Sequence, residues 1–306
     1  MKRLIPVLSL VLILFACRKA EQTGTAKPDI TLHDVKFTVA DFNVVEETMS
    51  ASGGKATMTV GDTLSNYADY LHYSVYNEAG FMVRYINQTK ADKNFGIIKG
   101  RLANGNYSVV IAASKITPLS FDTTGRTPFA YLTFGPNTKD YNWNDSFHKM
   151  FKITVADAPL TQTIKLDRLV GAFNVVIEDA IPADINKIVV EVNLSPANLK
   201  LDGTLSSYLI STYFNFPLSA TDAGVKNKML AGYITNTFYP VTFFVTAYNT
   251  KGVKVAQKSI SSLTFSRGKR ITLTGSLFTQ ANTKSNSSFP AAETNSSGWT
   301  QKTTGF

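Results

Sequence analysis

Residues 73–83 read Tyr73-Ser74-Val75-Tyr76-Asn77-Glu78-Ala79-Gly80-Phe81-Met82-Val83, and residues 245–255 read Val245-Thr246-Ala247-Tyr248-Asn249-Thr250-Lys251-Gly252-Val253-Lys254-Val255. Each has an alternating run, then Tyr-Asn, two residues, Gly, and a second run ending in valine. Side chains two apart in runs rich in valine, threonine and aromatics share one face of a half-buried strand. Asparagine tolerates left-handed backbone and glycine supplies positive φ, so Asn-x-x-Gly marks a turn. Both stretches therefore predict β-hairpins, and their separation is about one domain length.

The period of two recurs outward from them. It appears at Val35, Phe37 and Val39; at Ala56, Met58 and Val60; at Tyr107, Val109 and Ile111; and at Phe151, Ile153 and Val155. It returns at Ile188, Val190, Val192 and Leu194, and again at Val241, Phe243, Val245 and Ala247. Helical spacing is confined to Asp62–Leu71, where Leu64, Ala68 and Leu71 share a face behind an Asp62 cap. The expected fold class is all-β, with two tandem β-sandwich domains favoured over one large barrel. Asp157-Ala158-Pro159 interrupts strand pairing and places the expected boundary between domains 30–159 and 160–280. Residues 281–306, rich in Ser, Thr and Asn, read as a polar tail.

The N-terminus carries a different signal. Lys2 and Arg3 precede the apolar run Leu4–Ala16, which is shorter than the ~20 residues a membrane-spanning helix needs. Basic, apolar and small residues in that order predict a secretory signal, residues 1–16. Leu14-Phe15-Ala16-Cys17 resembles the lipobox of bacterial lipoproteins, and Cys17 is the only cysteine of the 306 residues. A lone thiol forms no internal disulfide and one ligand makes no zinc site. The lipobox implies cleavage between Ala16 and Cys17, a diacylglycerol on the Cys17 sulfur and an acyl chain on its new amino group. Several acyl chains anchor far better than one, at about 0.8 kcal/mol per buried methylene. Residues 17–29 then form the lipidated start and a tether.

The formal net charge of +9 falls to +7 without Lys2 and Arg3. No basic cluster exceeds Arg267-Gly268-Lys269-Arg270, so nucleic acid is not an expected partner. His33, His72 and His148 are scattered, none at metal-ligand spacing, and there is no Gly-x-Ser-x-Gly elbow, phosphate loop or dinucleotide fingerprint. Asp140 and Asp145 flank Tyr141-Asn142-Trp143-Asn144. Glycosidases place two carboxyls about 5–10 Å apart across a sugar cleft. The plainer reading of the same loop is Trp143 packed on a sandwich; the alternative is a glycan contact through Trp143 and Tyr141. No enzyme activity, catalytic residue, metal or cofactor beyond the Cys17 lipid is expected.

Four stretches taken in order resemble a known family: Tyr70–Gly80, Leu102–Ala112, Thr163–Phe173 and Arg270–Phe278. Behind a lipobox cysteine, this order is similar to the Bacteroidota fimbrillin-like lipoproteins, above all the FimB-type fimbrial anchor or minor subunits. The resemblance covers most of residues 30–280. It implies two transthyretin-like (Greek-key) sandwiches and a pilus role in cell adhesion, at the outer membrane and the cell surface. In that family an arginine-specific protease removes the first strand, and a strand from a neighbouring subunit fills the groove. This chain departs from that pattern, since no arginine occurs between Arg18 and Arg84 and the tail lacks a long alternating apolar strand. Both departures favour a subunit that keeps its lipid, although a cut after Lys36 or Lys55 stays open. Asp62-Thr63-Leu64 and Asp122-Thr123-Thr124 resemble the group's O-glycosylation sequon, at Thr63 and Thr123; simple turns explain both equally. The expected partners are other fimbrial subunits, the outer membrane through the lipid, and host or microbial surface glycans or proteins. The alternative function is a surface glycan-binding lipoprotein using exposed aromatics.

Overall fold

The alternation at Val35, Phe37 and Val39 becomes β1 (Leu32–Asn43), with all three side chains buried. A computed structural model describes residues 30–43, 64–115, 119–121, 131–134, 144–206, 209–279 and 300–305. The first core also takes in α1 (Leu64–Tyr67), β2 (Tyr70–Asn77), β3 (Met82–Thr89), β4 (Ile97–Ala103) and β5 (Gly105–Ser114). The short strands β6 (Leu119–Phe121) and β7 (Tyr131–Phe134) precede β8 (Ser146–Val155) and β9 (Leu160–Arg168). The first sheet runs β3-β2-β5-β8-β9-β1-β4. Only Phe147↔Arg168 and His148↔Asp167 join β8 to β9, and there the sheet folds over into two leaves. Phe37 meets Tyr73 of the opposite leaf with ring centroids 5.7 Å apart.

The second core is built from β10 (Gly171–Ile177), β11 (Ile185–Pro196), β13 (Leu209–Pro217), β14 (Lys228–Ile234), β15 (Val241–Asn249), β16 (Lys254–Leu263), β17 (Lys269–Gly275) and β18 (Thr300–Gly305), while the short β12 (Asn198–Lys200) pairs with β7. Its sheets run β14-β10-β17-β18 and β13-β11-β15-β16. Phe173, Phe243 and Phe265 pack between them.

Leaving aside β6, β7 and β12, the two sandwiches share one topology. The first strand lies between the fourth and seventh (β1 between β4 and β9, β10 between β14 and β17) and is parallel to the seventh. The second lies between the third and fifth, and the sixth pairs with the fifth or flanks it. This is the transthyretin-like Greek key, and the protein is an all-β double sandwich.

The two opening hairpins form as read, with the same turn chemistry. Asn77 Oδ1 accepts from the Phe81 amide at 2.9 Å, and Asn249 Oδ1 accepts from the Val253 amide at 2.9 Å. Gly80 and Gly252 take φ of 81° and 73°, which an L side chain resists. The hairpins are nevertheless not equivalent. β2–β3 joins the second and third strands of its sandwich, whereas β15–β16 joins the fifth and sixth, at the opposite edge of the matching leaf. Their likeness reports a shared turn and not a domain repeat.

Four further expectations change. Asp157-Ala158-Pro159 turns β8 into β9, and Ile164 and Leu166 of β9 belong to the first core; the passage to the second core comes at Leu169-Val170 instead of Pro159. The helix is a single turn, because the Asp69 amide donates to the Ser114 carbonyl and β2 starts at Tyr70. Leu194 leaves the inward row: a bulge between Val192 and Ser195 gives it a φ of 53° and exposes it. Within the tail, residues 300–305 pair with β17 through backbone bonds that need no apolar alternation. The Ala56-Met58-Val60 run lies outside the described residues.

Phe37→Ala is expected to cost about 3–5 kcal/mol in urea unfolding, as for a large ring removed from a packed core. Phe81→Ala, on the exposed turn after β2, should stay within about 0.5 kcal/mol of the parent.

Candidate functional site

Two features give the described chain its working geometry: the lock on the first strand and the joint between the sandwiches. β1 pairs with β4 from Leu32 to Thr38, antiparallel, and with β9 from Val35 to Asn43, parallel. Neither edge of β1 is open over the shared stretch, and Phe37 is fully buried. The backbone of Lys36 lies between Lys99 and Thr161, inside paired sheet.

The joint begins where β9 ends. Arg168 reaches the Asp145 carboxylate through Nε at 2.7 Å and Nη2 at 2.6 Å, and both side chains are largely out of water. This planar two-point contact is the geometry guanidinium and carboxylate favour. The Arg168 guanidinium also lies 5.0 Å from the Phe147 ring centroid. The Asp145 carboxylate is thereby engaged in structure, and Asp140 lies outside the described residues.

An apolar cluster continues the joint. Tyr76, Val110 and Ala112 from the outer face of the β2–β5 leaf are buried against Leu169, Val170, Leu199 and Leu201. β12 pairs with β7, which pairs with β6, so segments flanking both sandwiches share one small sheet. Within this cover His148, buried, donates from Nε2 to the Leu201 carbonyl at 2.6 Å. Arg267 Nη2 donates to the Gly203 carbonyl at 2.5 Å. Gly203 is required twice: its φ is +79°, and a Cβ would sit 3.2 Å from Leu169 Cδ1 and 3.4 Å from His148 Nδ1. Burial pushes the His148 pKa down to about 4; the Leu201 carbonyl pulls it up, Arg267 lowers it, and Asp202 and Asp167 raise it.

The residues singled out from sequence fall elsewhere. Ala16, Cys17, Thr63, Thr123, Tyr141 and Trp143 all lie outside the described residues. Asn144, the first described residue after the Trp143 loop, adjoins the Asp145–Arg168 contact. His33 is 3.9 Å from Asp157, His72 bonds Asn87 at 2.6 Å, and His148 is at the joint; the structure does not bring the three together. Among the described residues no group of three or more His, Cys, Asp or Glu side chains is placed to hold a metal ion. The joint escaped sequence reading because its members are scattered and carry no motif.

No family model matches the chain, and no curated protein matches it. Solved structures do. A candidate polysaccharide-binding protein (DUF1812) of Bacteroides thetaiotaomicron superposes at a TM-score of 0.51 and 10% identity, over 80% of this chain and 92% of that one. A candidate adhesin of Bacteroides ovatus gives 0.51 and 9%, over 84% and 91%. The fimbrial anchor protein Mfa2 of Porphyromonas gingivalis gives 0.49 and 11%, over 80% and 91%. At these identities the likeness is one of fold. The double sandwich implied by the fimbrillin-like resemblance is the fold this chain shares with the first two Bacteroides proteins.

His148 also sets a pH dependence. Its folded pKa lies below the ordinary value of 6.5, so the unfolded chain binds more protons between pH 6.5 and about 4. The stability tied to neutral His148 is complete above pH 6.5 and drains away as pH falls to about 4. Across that window the stability of the parent should drop relative to His148→Gln by about 3 kcal/mol, read from urea unfolding at each pH. Parallel pH profiles for the two proteins would contradict the assignment.

Proposed function

We propose that this chain is a non-enzymatic, lipid-anchored subunit of a surface fimbria, of the anchor or accessory kind, held in the outer membrane by acyl chains on Cys17. The observation that carries the reading is the position of β1. β1, the first strand after Cys17 in the described chain, is paired on both sides, so a pull on the lipid would load β1 from its N-terminal end. Such a load shears the backbone bonds to β4 and β9 together instead of opening them one at a time. An anchor needs that arrangement; a subunit that sheds its first strand would lose both lipid and handle.

The sequence supports the same side of the choice. No arginine lies between Arg18 and Arg84, and the Lys36 peptide is protected inside the sheet. Partners are other fimbrial subunits, engaged by strand addition at sheet edges. Exposed edges are hazards unless charged, covered or used. β16 carries Lys254 and Lys258 along its outer edge, whereas the one charged residue of β3 is Arg84, whose Nε is buried, and Val83 and Tyr85 are exposed, with Phe81 exposed just before them. The β3 edge is the better candidate for a partner strand.

Metabolic palmitate labelling of the full chain should be strong and should vanish in Cys17→Ala. Globomycin should cause an unprocessed precursor to accumulate. Labelling that persists in Cys17→Ala would remove the anchor assignment. Replacing Val83 by lysine should reduce recovery of the chain with isolated fimbriae at least about fivefold while leaving its thermal unfolding unchanged.

A further inference from the structure

The β13-β11-β15-β16 leaf of the second sandwich has two faces of opposite character. Ile188, Val190, Phe243 and Val245 point into the core. The residues between them form rungs on the other side, because register pairs Tyr213 with Glu191 and Glu191 with Phe244. The next rung sets Asn215, Val189, Thr246 and Gln257 side by side, and a third sets Lys187 beside Tyr248.

The matching leaf of the first sandwich is different. Its outer face carries Ser74, Tyr76, Val110 and Ala112, all fully buried, much of it beneath the apolar cover of the joint. One fold thus presents the same leaf twice, once covered and apolar, once with Tyr213, Asn215 and Gln257 exposed, Glu191 and Phe244 half-buried, and Val189 and Thr246 buried among them. Tyr213 is 39% exposed.

The arrangement is organised. The Tyr213 hydroxyl donates to Glu191 Oε1 at 3.3 Å, and Gln257 Nε2 donates to Thr246 Oγ1 at 3.0 Å. Lys187 Nζ sits 4.9 Å from the Tyr248 ring centroid, which occupies that ring. Two rings remain for stacking, Tyr213 and Phe244, two strands apart and so separated by about 10 Å. Between them stands one carboxylate, with the exposed Asn215 and Gln257 amides on the neighbouring rung.

We infer that this face binds an extended, neutral polysaccharide chain. The C–H faces of sugar rings stack on aromatic side chains, and hydroxyl groups bond to carboxylates and amides. Two stacking rings at this separation let one chain lie across the leaf, with Glu191 beneath the sugars between. Charge argues for a neutral chain. The lone carboxylate bonds Tyr213, and the two cations are engaged, Lys187 with Tyr248 and the rim Lys254 with Gln257 at 3.1 Å. A polyanion is held by several cations acting together, which this face lacks. The inference goes beyond the anchor reading and does not depend on it, since neither the lipid nor β1 takes part.

Affinity electrophoresis of the purified full chain, in native gels containing soluble glucomannan, xyloglucan, mannan or chondroitin sulfate, tests it. Retardation is expected in at least one of the three neutral gels. Tyr213→Ala should weaken that retardation at least about tenfold, and Tyr213→Phe, which keeps the ring, should retain it within about threefold. Phe244→Ala should match Tyr213→Ala, with thermal unfolding confirming that each variant is folded; if Phe244→Ala fails to fold, the two Tyr213 variants carry the test. Retardation in none of the neutral gels, retardation only by chondroitin sulfate, or retardation unchanged in Tyr213→Ala would each overturn the inference. So would a self-associated species in sedimentation velocity that Tyr213→Ala dissolves, because the face would then belong to a second copy.

Discussion

The pairing of β1 on both sides, to β4 and to β9, is the constraint on which the rest of the structure hangs. Take β1 away and the two strands that flank it in one leaf of the first sandwich lose their common partner, while Tyr73 and Phe151 lose the Phe37 ring they pack on. β9 would be left joined to β8 by two residue pairs alone. Since β9 leads directly into Arg168 and Leu169, the first strand supports the joint as well as its own sandwich. The second sandwich repeats the arrangement with β10 between β14 and β17, so the rule belongs to the topology and not to one domain.

The joint combines apolar burial with polar groups that have been given partners. Arg168 with Asp145, His148 with the Leu201 carbonyl, and Arg267 with the Gly203 carbonyl all lie near the cover that Leu169, Val170, Leu199 and Leu201 provide. A buried ion pair contributes little net stability compared with apolar packing, yet removing one partner strands a charge. Such contacts favour one relative orientation of the two sandwiches. The low pKa of His148 follows from the same cover: water cannot reach the ring to stabilise its charged form.

Much of the fold was legible in the sequence, because alternation is a direct imprint of a sheet with one face in a core. Val35, Phe37 and Val39, or Val241, Phe243, Val245 and Ala247, could be assigned inward without coordinates. The matching of Tyr73–Val83 with Val245–Val255 led to two domains for a reason the structure does not support, since identical turn chemistry arose at two different places in the Greek key. Asp157–Pro159 misplaced the boundary because a proline-containing hairpin turn and a linker look alike locally. β18 was illegible because a polar strand at a sheet edge, Thr300–Gly305, leaves no periodic trace. The outer face of the second sandwich does leave a trace in the sequence: Tyr213 and Phe244 sit on the outward phase of alternating strands, where polar residues are ordinarily expected.

An anchor of this design works only if the first strand stays in place for the life of the protein. Intact-mass measurement of the chain extracted from the surface of its native cells tests this most directly. The expected result is a single species beginning at acylated Cys17 and containing Leu32–Asn43. A mature chain whose N-terminus lies beyond Asn43 would contradict it.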